Sequence, residues 1–255
     1  MSGSAEFPDL TRLPGVADAV ELVRAAVGDL RRHPANRRGW PRSAAAAAVR
    51  AARASAALDG GSQVIDSDAE TITDPVLAGA LRANAGVAEL AGVWERAPLQ
   101  ALARLHMLAA ADLPGMPELG RPRDGAVVST GVPVDQVAPR LAGVARAVTG
   151  SGWPGPVLAA IVHGEVLTIQ PFGSADGVVA RAASRLTMMA SGLDLQGLTV
   201  PEVSSVRHPG RYRERAGGYS SGGPEGLRDW ILYVCDCLID GAREGRSIAD
   251  AAGTD

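Results

Sequence analysis

The chain has 255 residues, 46% hydrophobic and 21% charged, with a formal net charge of −3. It is long enough to bury a full core, and a wholly disordered chain is excluded. No apolar run reaches the roughly 20 residues needed to span a bilayer. The segment Met1 to Leu10 carries Glu6 and Asp9 and has no apolar centre, so neither a membrane anchor nor a secretory signal is expected. Cys235 and Cys237 stand too close in sequence to staple a fold. The expected compartment is the cytoplasm. All 25 basic residues are Arg, which together with the abundance of Ala and Gly reads as codon bias. Aromatic residues make up 4%, so the core must be built from Leu, Val, Ile and Ala, which favours packed helices over a sandwich.

In chain order, Val20, Val23 and Val27 mark a helix over 16–32, ended by Pro34. The segment 33–42 mixes Pro, Asn, Gly and Arg and reads as a loop. A second helix is expected from Ser43, as N-cap, to Leu58, with Asp59, Gly60 and Gly61 as its terminator. Asp74 and Pro75 open a third, in which Gly79, Gly86 and Gly92 imply a break or a tight interhelical contact. A fourth runs over 98–110. The Pro- and Gly-rich stretch 112–133 surrounds a short β-favouring run, 126–130. Further helices are expected over 135–148, 156–168, 178–190 and 224–244. Loops are expected over 169–177 and 191–209, a short helix from Tyr212, and a frayed end over 247–255. No repeat is visible, and the class is mainly α.

The informative stretch is Ile169-Gln170-Pro171-Phe172-Gly173-Ser174-Ala175-Asp176-Gly177-Val178-Val179-Ala180-Arg181, a glycine-containing turn between two apolar helices. Free N–H groups at the start of the second helix suit an anion. By itself such a turn is most simply a connector. Its frame, however, resembles the signature loop of the Fic (Fido) family, in which Ile-His-Pro-Phe leads through Asp/Glu-Gly-Asn-Gly-Arg-x-x-Arg into the next helix. Other pieces agree in order. Ser55 to Gly60 resembles the inhibitory pattern Ser/Thr-x-x-x-Glu-Gly/Asn. Leu105-His106 and Gly120 to Arg123 resemble the segments before the flap, and Tyr212 and Trp230-Ile231 the closing helices. The resemblance covers about residues 45 to 240.

It implies a Fic-like helical bundle with a small β-hairpin flap over 125–131, whose edge would suit a partner strand. Residues 1–42 would be an N-terminal helix and Arg-rich loop. Residues 43–245 would form the Fic-like domain, with an inhibitory-type helix over 43–60, and 246–255 a tail. In the family the loop His takes a proton from a target hydroxyl that attacks the α-phosphate of a nucleotide. Gln170 stands at that position, and an amide cannot accept the proton. Ser174 replaces the acidic Mg²⁺ ligand, Ala175 the first glycine, Asp176 the Asn and Val178 the first Arg. Pro171, Phe172, Gly177 and Arg181 remain.

The resemblance therefore points to a degenerate, non-catalytic member, a pseudoenzyme that binds a partner protein or a nucleotide in the inherited cleft. Gly173, Ser174, Ala175, Gly177 and Arg181 would face any phosphate. Asp59 and Arg181 would form the inhibitory-type pair, against the simpler reading that Asp59 only ends its helix. The alternative is a nucleotidyl or phosphoryl transferase with a non-standard loop, Asp176 as base or metal ligand, Gln170 orienting a substrate and ATP with Mg²⁺ as cofactors. Otherwise no cofactor is expected. Four scattered histidines suggest no metal site. His163 and His106 read as packed side chains, and Met188 and Met189 as core filler. Arg31, Arg32, Arg37, Arg38 and Arg42 around Trp40 form the one dense basic patch, a candidate nucleic-acid surface read more simply as a solvated loop. A membrane partner is not expected. Members of the family often pair, so a homodimer is compatible with this reading.

Overall fold

The computed structural model describes residues 7–65, 71–113, 118–124 and 132–252. Among them are ten α-helices and a short 3-10 turn, Leu10–Arg12. The helices are α1 (Val16–Arg32), α2 (Asn36–Leu58), α3 (Pro75–Trp94), α4 (Pro98–Ala110) and α5 (Val134–Gly150). They continue with α6 (Gly155–Ile169), α7 (Asp176–Ala190), α8 (Glu202–Arg207), α9 (Pro209–Ser220) and α10 (Pro224–Ala252). The mainly α class expected from composition is the class observed. The expected flap, 125–131, lies outside the described residues, and no strand occurs among those that are described.

At the centre is the pair α6 and α7. Almost every residue of α6 from Pro156 to Val166 is buried, as a helix with apolar residues all round must be. One face of α6 joins α3, α4, α5 and α7 in the main core, around Leu77, Leu102, Leu105, Val162, Ile169 and Leu186. The other joins α1, α9 and α10 around Val20, Val23, Trp230, Ile231 and Leu238. Trp230 Nε1 donates to Ala160 O at 2.8 Å and so pins α10 to α6.

Local chemistry accounts for the ends that sequence placed well. Asp74 caps α3 by accepting from Leu77 N at 2.7 Å, with Pro75 in the first turn. Gly79 does not break α3. A Cβ there would collide with Ala109 O, so this glycine permits the close approach of α3 and α4. Met188 is fully buried and Met189 packs at the edge of the core.

Four expectations are corrected. The segment 33–42 is not a loop, because α2 starts at Asn36 and carries Pro41 inside it. Buried Asn36 donates from Nδ2 to Leu30 O at 3.0 Å, closing α1 so tightly that the next helix starts almost at once. Ser43 is a buried helical residue, not a cap. Residues 202–207 form α8 within the expected loop. Finally, α10 runs to Ala252, since Ile248 and Ala249 are buried, Ile248 against Ala47, Ala51 and Val200. Helices α2 and α10 thus run through the positions, 42/43 and 245/246, where the domain limits were expected.

One helix, α3, is long and apolar enough to cross a membrane by length and composition. It passes that test although no uninterrupted apolar run does, because Arg82 and Glu89 interrupt it. Its buried face, Leu77, Ala80, Ala83 and Val87, is part of the core.

Candidate functional site

The signature stretch lies between α6 and α7. Gln170 leaves α6 in the left-handed region, φ 47, while its N–H still bonds Val166 O at 3.0 Å. Pro171 then prevents the helix from resuming. Arg123 holds this helix end. Its N–H donates to Pro171 O at 2.7 Å, its Nε to Gln170 O at 2.8 Å, and its Nη2 to Ile169 O at 3.0 Å and to Val132 O. A cation on the exposed carbonyls of a helix C-terminus is favoured by both hydrogen bonding and the helix dipole. Sequence placed Arg123 before the flap but not in this role. The one clue was an Arg next to Pro122 in a segment otherwise poor in structure.

Phe172 is buried and stacks on His106, centroids 4.2 Å apart and planes 3° from parallel. His106 Nδ1 accepts from Gly120 N at 2.9 Å, so Nε2 carries the proton and donates to Ser174 Oγ at 3.1 Å. Burial pushes the His106 pKa down to about 4, which keeps the ring neutral. The pair therefore looks like a nucleophile and its base but has the proton on the wrong nitrogen. It is an anchor for the loop.

Asp176 opens α7 and turns back, accepting from Phe172 N at 3.0 Å. Burial pushes its pKa up to about 7, against the lowering effect of the Phe172 and Gly173 N–H groups and the Arg123 charge. Gly173 and Ala175 both sit at positive φ, 73 and 51. Ala175 thus holds without glycine a conformation that glycine adopts freely. Val178 is 2% exposed and adds an apolar wall where the resemblance would place an Arg.

Asp59 comes from the end of α2 and meets α7 at its first turn. Its Oδ1 is 2.8 Å from Arg181 Nη2. A Cβ on Gly177 would stand 2.5 and 2.6 Å from the two Asp59 oxygens. The carboxylate therefore rests on the start of α7, where free N–H groups favour negative charge. Arg181 makes four contacts, one of them to Asp59. Nε donates to Ser55 Oγ at 2.8 Å, Nη2 also to Ser55 O at 3.0 Å, and Nη1 to Tyr212 Oη at 3.3 Å. Burial opposes its charge, but Asp59 and Tyr212 more than compensate, and its pKa is raised. Since Tyr212 accepts from Arg181, its own proton goes to His163 Nε2 at 3.0 Å. Burial first, then the Arg181 charge, pushes the His163 pKa down to about 3, so this packed histidine is neutral.

Asp59, Gln170, Gly173, Ser174, Ala175, Asp176, Gly177 and Arg181 thus converge on one turn. Near the end of α6, Glu165 meets Arg140 at 2.8 Å and accepts from Tyr219 at 2.8 Å. The basic segment is divided between two helices, and Arg32 pairs with Asp29 at 2.6 Å. Trp40 is exposed on α2.

These residues do not fit a magnesium nucleotide held as in the family that the loop resembles. Ser174 has no charge and is bonded to His106, Val178 is apolar, and the start of α7 carries the Asp59 carboxylate. Among the described residues no three His, Cys, Asp or Glu side chains are grouped so as to hold a metal ion.

A comparison of the sequence with curated proteins gives no match. Residues 29–106, under a third of the chain, match a family profile described as an AAA lid domain. The matched part is the end of α1 with α2, α3 and most of α4. Solved structures give broader likenesses. A Fic family protein from Desulfovibrio desulfuricans is similar over 94% of this chain and 76% of its own, with 18% identity and a TM-score of 0.71. A fragment of Fic-1 from C. elegans is similar over 93% and 75%, with 17% identity and a TM-score of 0.67. A Fic domain containing signaling protein from Bacteroides thetaiotaomicron is similar over 91% and 98%, with 13% identity and a TM-score of 0.65. The fold of this chain is the Fic fold.

Proposed function

We propose that this chain is a degenerate Fic-fold protein that transfers no nucleotide and acts by binding a partner protein, or a nucleotide, in the cleft beside the α6–α7 loop. The observation that carries this reading is the position of Asp59. It neutralises Arg181 at 2.8 Å and rests on Gly177 at the start of α7, filling the anion site with a carboxylate of the chain itself. Beside it, Gln170 cannot accept a proton. Loss of a general base alone removes a factor of ~10²–10⁴ in rate, before the loss of charge at positions 174 and 178 is added. What remains of the loop is shape held by Arg123, His106 and Asp176.

A transferase using Asp176 finds less support. A carboxyl with a pKa near 7 has the right basicity for a general base, but this one is buried and its Oδ1 is bonded to Phe172 N. The test is transfer of label from α-labelled ATP, GTP and CDP-choline with Mg²⁺ to proteins of a cell lysate, for the wild type and for Asp59→Ala. No incorporation by either supports the proposal, and incorporation that Asp176→Ala abolishes overturns it. Calorimetric titration of both proteins with the same nucleotides decides whether the cleft takes a nucleotide at all.

A further inference from the structure

Arg181 also forms part of the wall of a small, partly open cavity of about 20 Å³, shared with His163, Ser184, Glu202, Ser205 and Cys237. Each of these side chains is itself buried. Glu202 is 3% exposed, yet its Oε2 has no hydrogen-bond partner among the described residues. The nearest cation, Arg185 Nη1, is 4.0 Å away, beyond hydrogen-bond range. Arg185 directs its N–H groups elsewhere, to Thr199 O at 2.6 Å and to Gly197 O. Burial pushes the Glu202 carboxyl up, while Arg185 and then Arg181 pull it down and Asp194 raises it.

A buried carboxyl oxygen without a hydrogen-bond partner is costly in a protein interior, and ordered solvent is the usual remedy. The cavity exceeds the roughly 10–15 Å³ that one water centre requires and is far too small for a phosphate or a nucleotide. Two guanidinium groups nearby disfavour a metal cation. The walls supply complementary groups. Ser205 Oγ accepts from Tyr233 at 3.1 Å and lies 3.8 Å from Cys237 Sγ, with its oxygen on the cavity wall. His163, whose Nε2 is taken by Tyr212, carries its proton on Nδ1.

We infer that this cavity is a binding site for one ordered water molecule that hydrogen-bonds Glu202 Oε2 and links that carboxyl group to the wall carrying Arg181. Arg181 then has one counter-charge in direct contact, Asp59, and is linked through solvent to the Glu202 carboxyl group. Glu202 is a positioning residue for the guanidinium. The inference does not depend on whether the cleft binds a partner or a nucleotide.

A crystal structure of the wild type at about 1.5 Å tests the site, with no variant that must fold. One solvent peak within about 2.6–3.2 Å of Glu202 Oε2 and of a second wall group supports it. A well-ordered Glu202 with no such peak, or one turned to bond Arg185 directly, overturns it. Solvent exchange of the Arg181 Nε–H, followed by NMR, tests the positioning role in Asp59→Asn, Glu202→Gln and the double variant. Exchange faster by about tenfold in the double variant than in either single one is the expected result. Equal rates in all three overturn the role of Glu202 while leaving the water site to the crystallographic result.

Discussion

Gly177 lies directly beneath the carboxylate of Asp59, so close that a methyl group there would meet both oxygens at 2.5 and 2.6 Å. Ala at this position would gain about 1 kcal/mol of helix propensity but would push Asp59 off Arg181. Removing one partner of a buried pair costs about 3–5 kcal/mol. Asp59 is a quarter exposed, which places its loss at the lower end. Gly177→Ala is therefore expected to lower stability by about 1–3 kcal/mol, read as a drop in Tm. An unchanged or higher Tm would show that the pair contributes little.

Asp176 makes stability depend on pH in an unusual direction. Its carboxyl titrates at about 7 in the fold and near 3.8 unfolded. Below pH about 4 both states hold the proton and there is no difference. Between about 4 and 7 the unfolded chain releases it while the fold keeps it, so stability falls as pH rises, then levels off above 7. Asp176→Asn retains an oxygen for Phe172 N and removes the titration. It is expected to flatten this part of the profile and to be more stable at pH 8 by a few kcal/mol, about 4 at most. Urea unfolding of both proteins from pH 4 to pH 8 measures the difference, and parallel profiles would contradict it.

Ala175 sits at φ 51, where a Cβ is unfavourable and glycine is not. Ala175→Gly is expected to stabilise the chain by about 0.5–1 kcal/mol despite the greater freedom of an unfolded glycine. A lower denaturation midpoint in the variant would mean that the loop relies on the methyl group for packing.

Placing a histidine back at position 170 supplies a base without clearing the site. Asp59 still rests on α7, and Ser174 and Val178 still lack charge. Gln170→His is expected to show no transfer of labelled AMP, with or without Mg²⁺. Activity from this single change would mean that the closed Asp59–Arg181 contact is no barrier and that position 170 alone determines inactivity.

Much of the fold was legible because its central helices state their ends in local chemistry. The Asp74-Pro75 start of α3, the valine stripe of α1 and the apolar run of α6 each follow from a single physical rule. The start of α2 was hidden because Arg37, Arg38, Gly39 and Pro41 look like a loop, while the deciding contact is Asn36 on Leu30 O, across the turn. The end of α10 was hidden likewise, since Ile248 is buried only by residues distant in sequence. In the site, the spacing from Gln170 to Arg181 located the turn and its substitutions. The grip of Arg123 on three successive carbonyls could not be read, because hydrogen bonds between a side chain and remote backbone leave no periodicity. The proton position on His106 is likewise set by Gly120 N, a backbone group that no residue type announces.

The acid facing Arg181 is covalently attached to the scaffold through α2, and this bears on any molecule that would take its place. A tethered group is present at a high local concentration however dilute the protein, at least millimolar even on a flexible tether. A free anion must outcompete it from bulk solution, at its own concentration. Simple phosphate at cellular levels is thus at a standing disadvantage, and only an occupant that gains further contacts with the protein can displace the carboxylate.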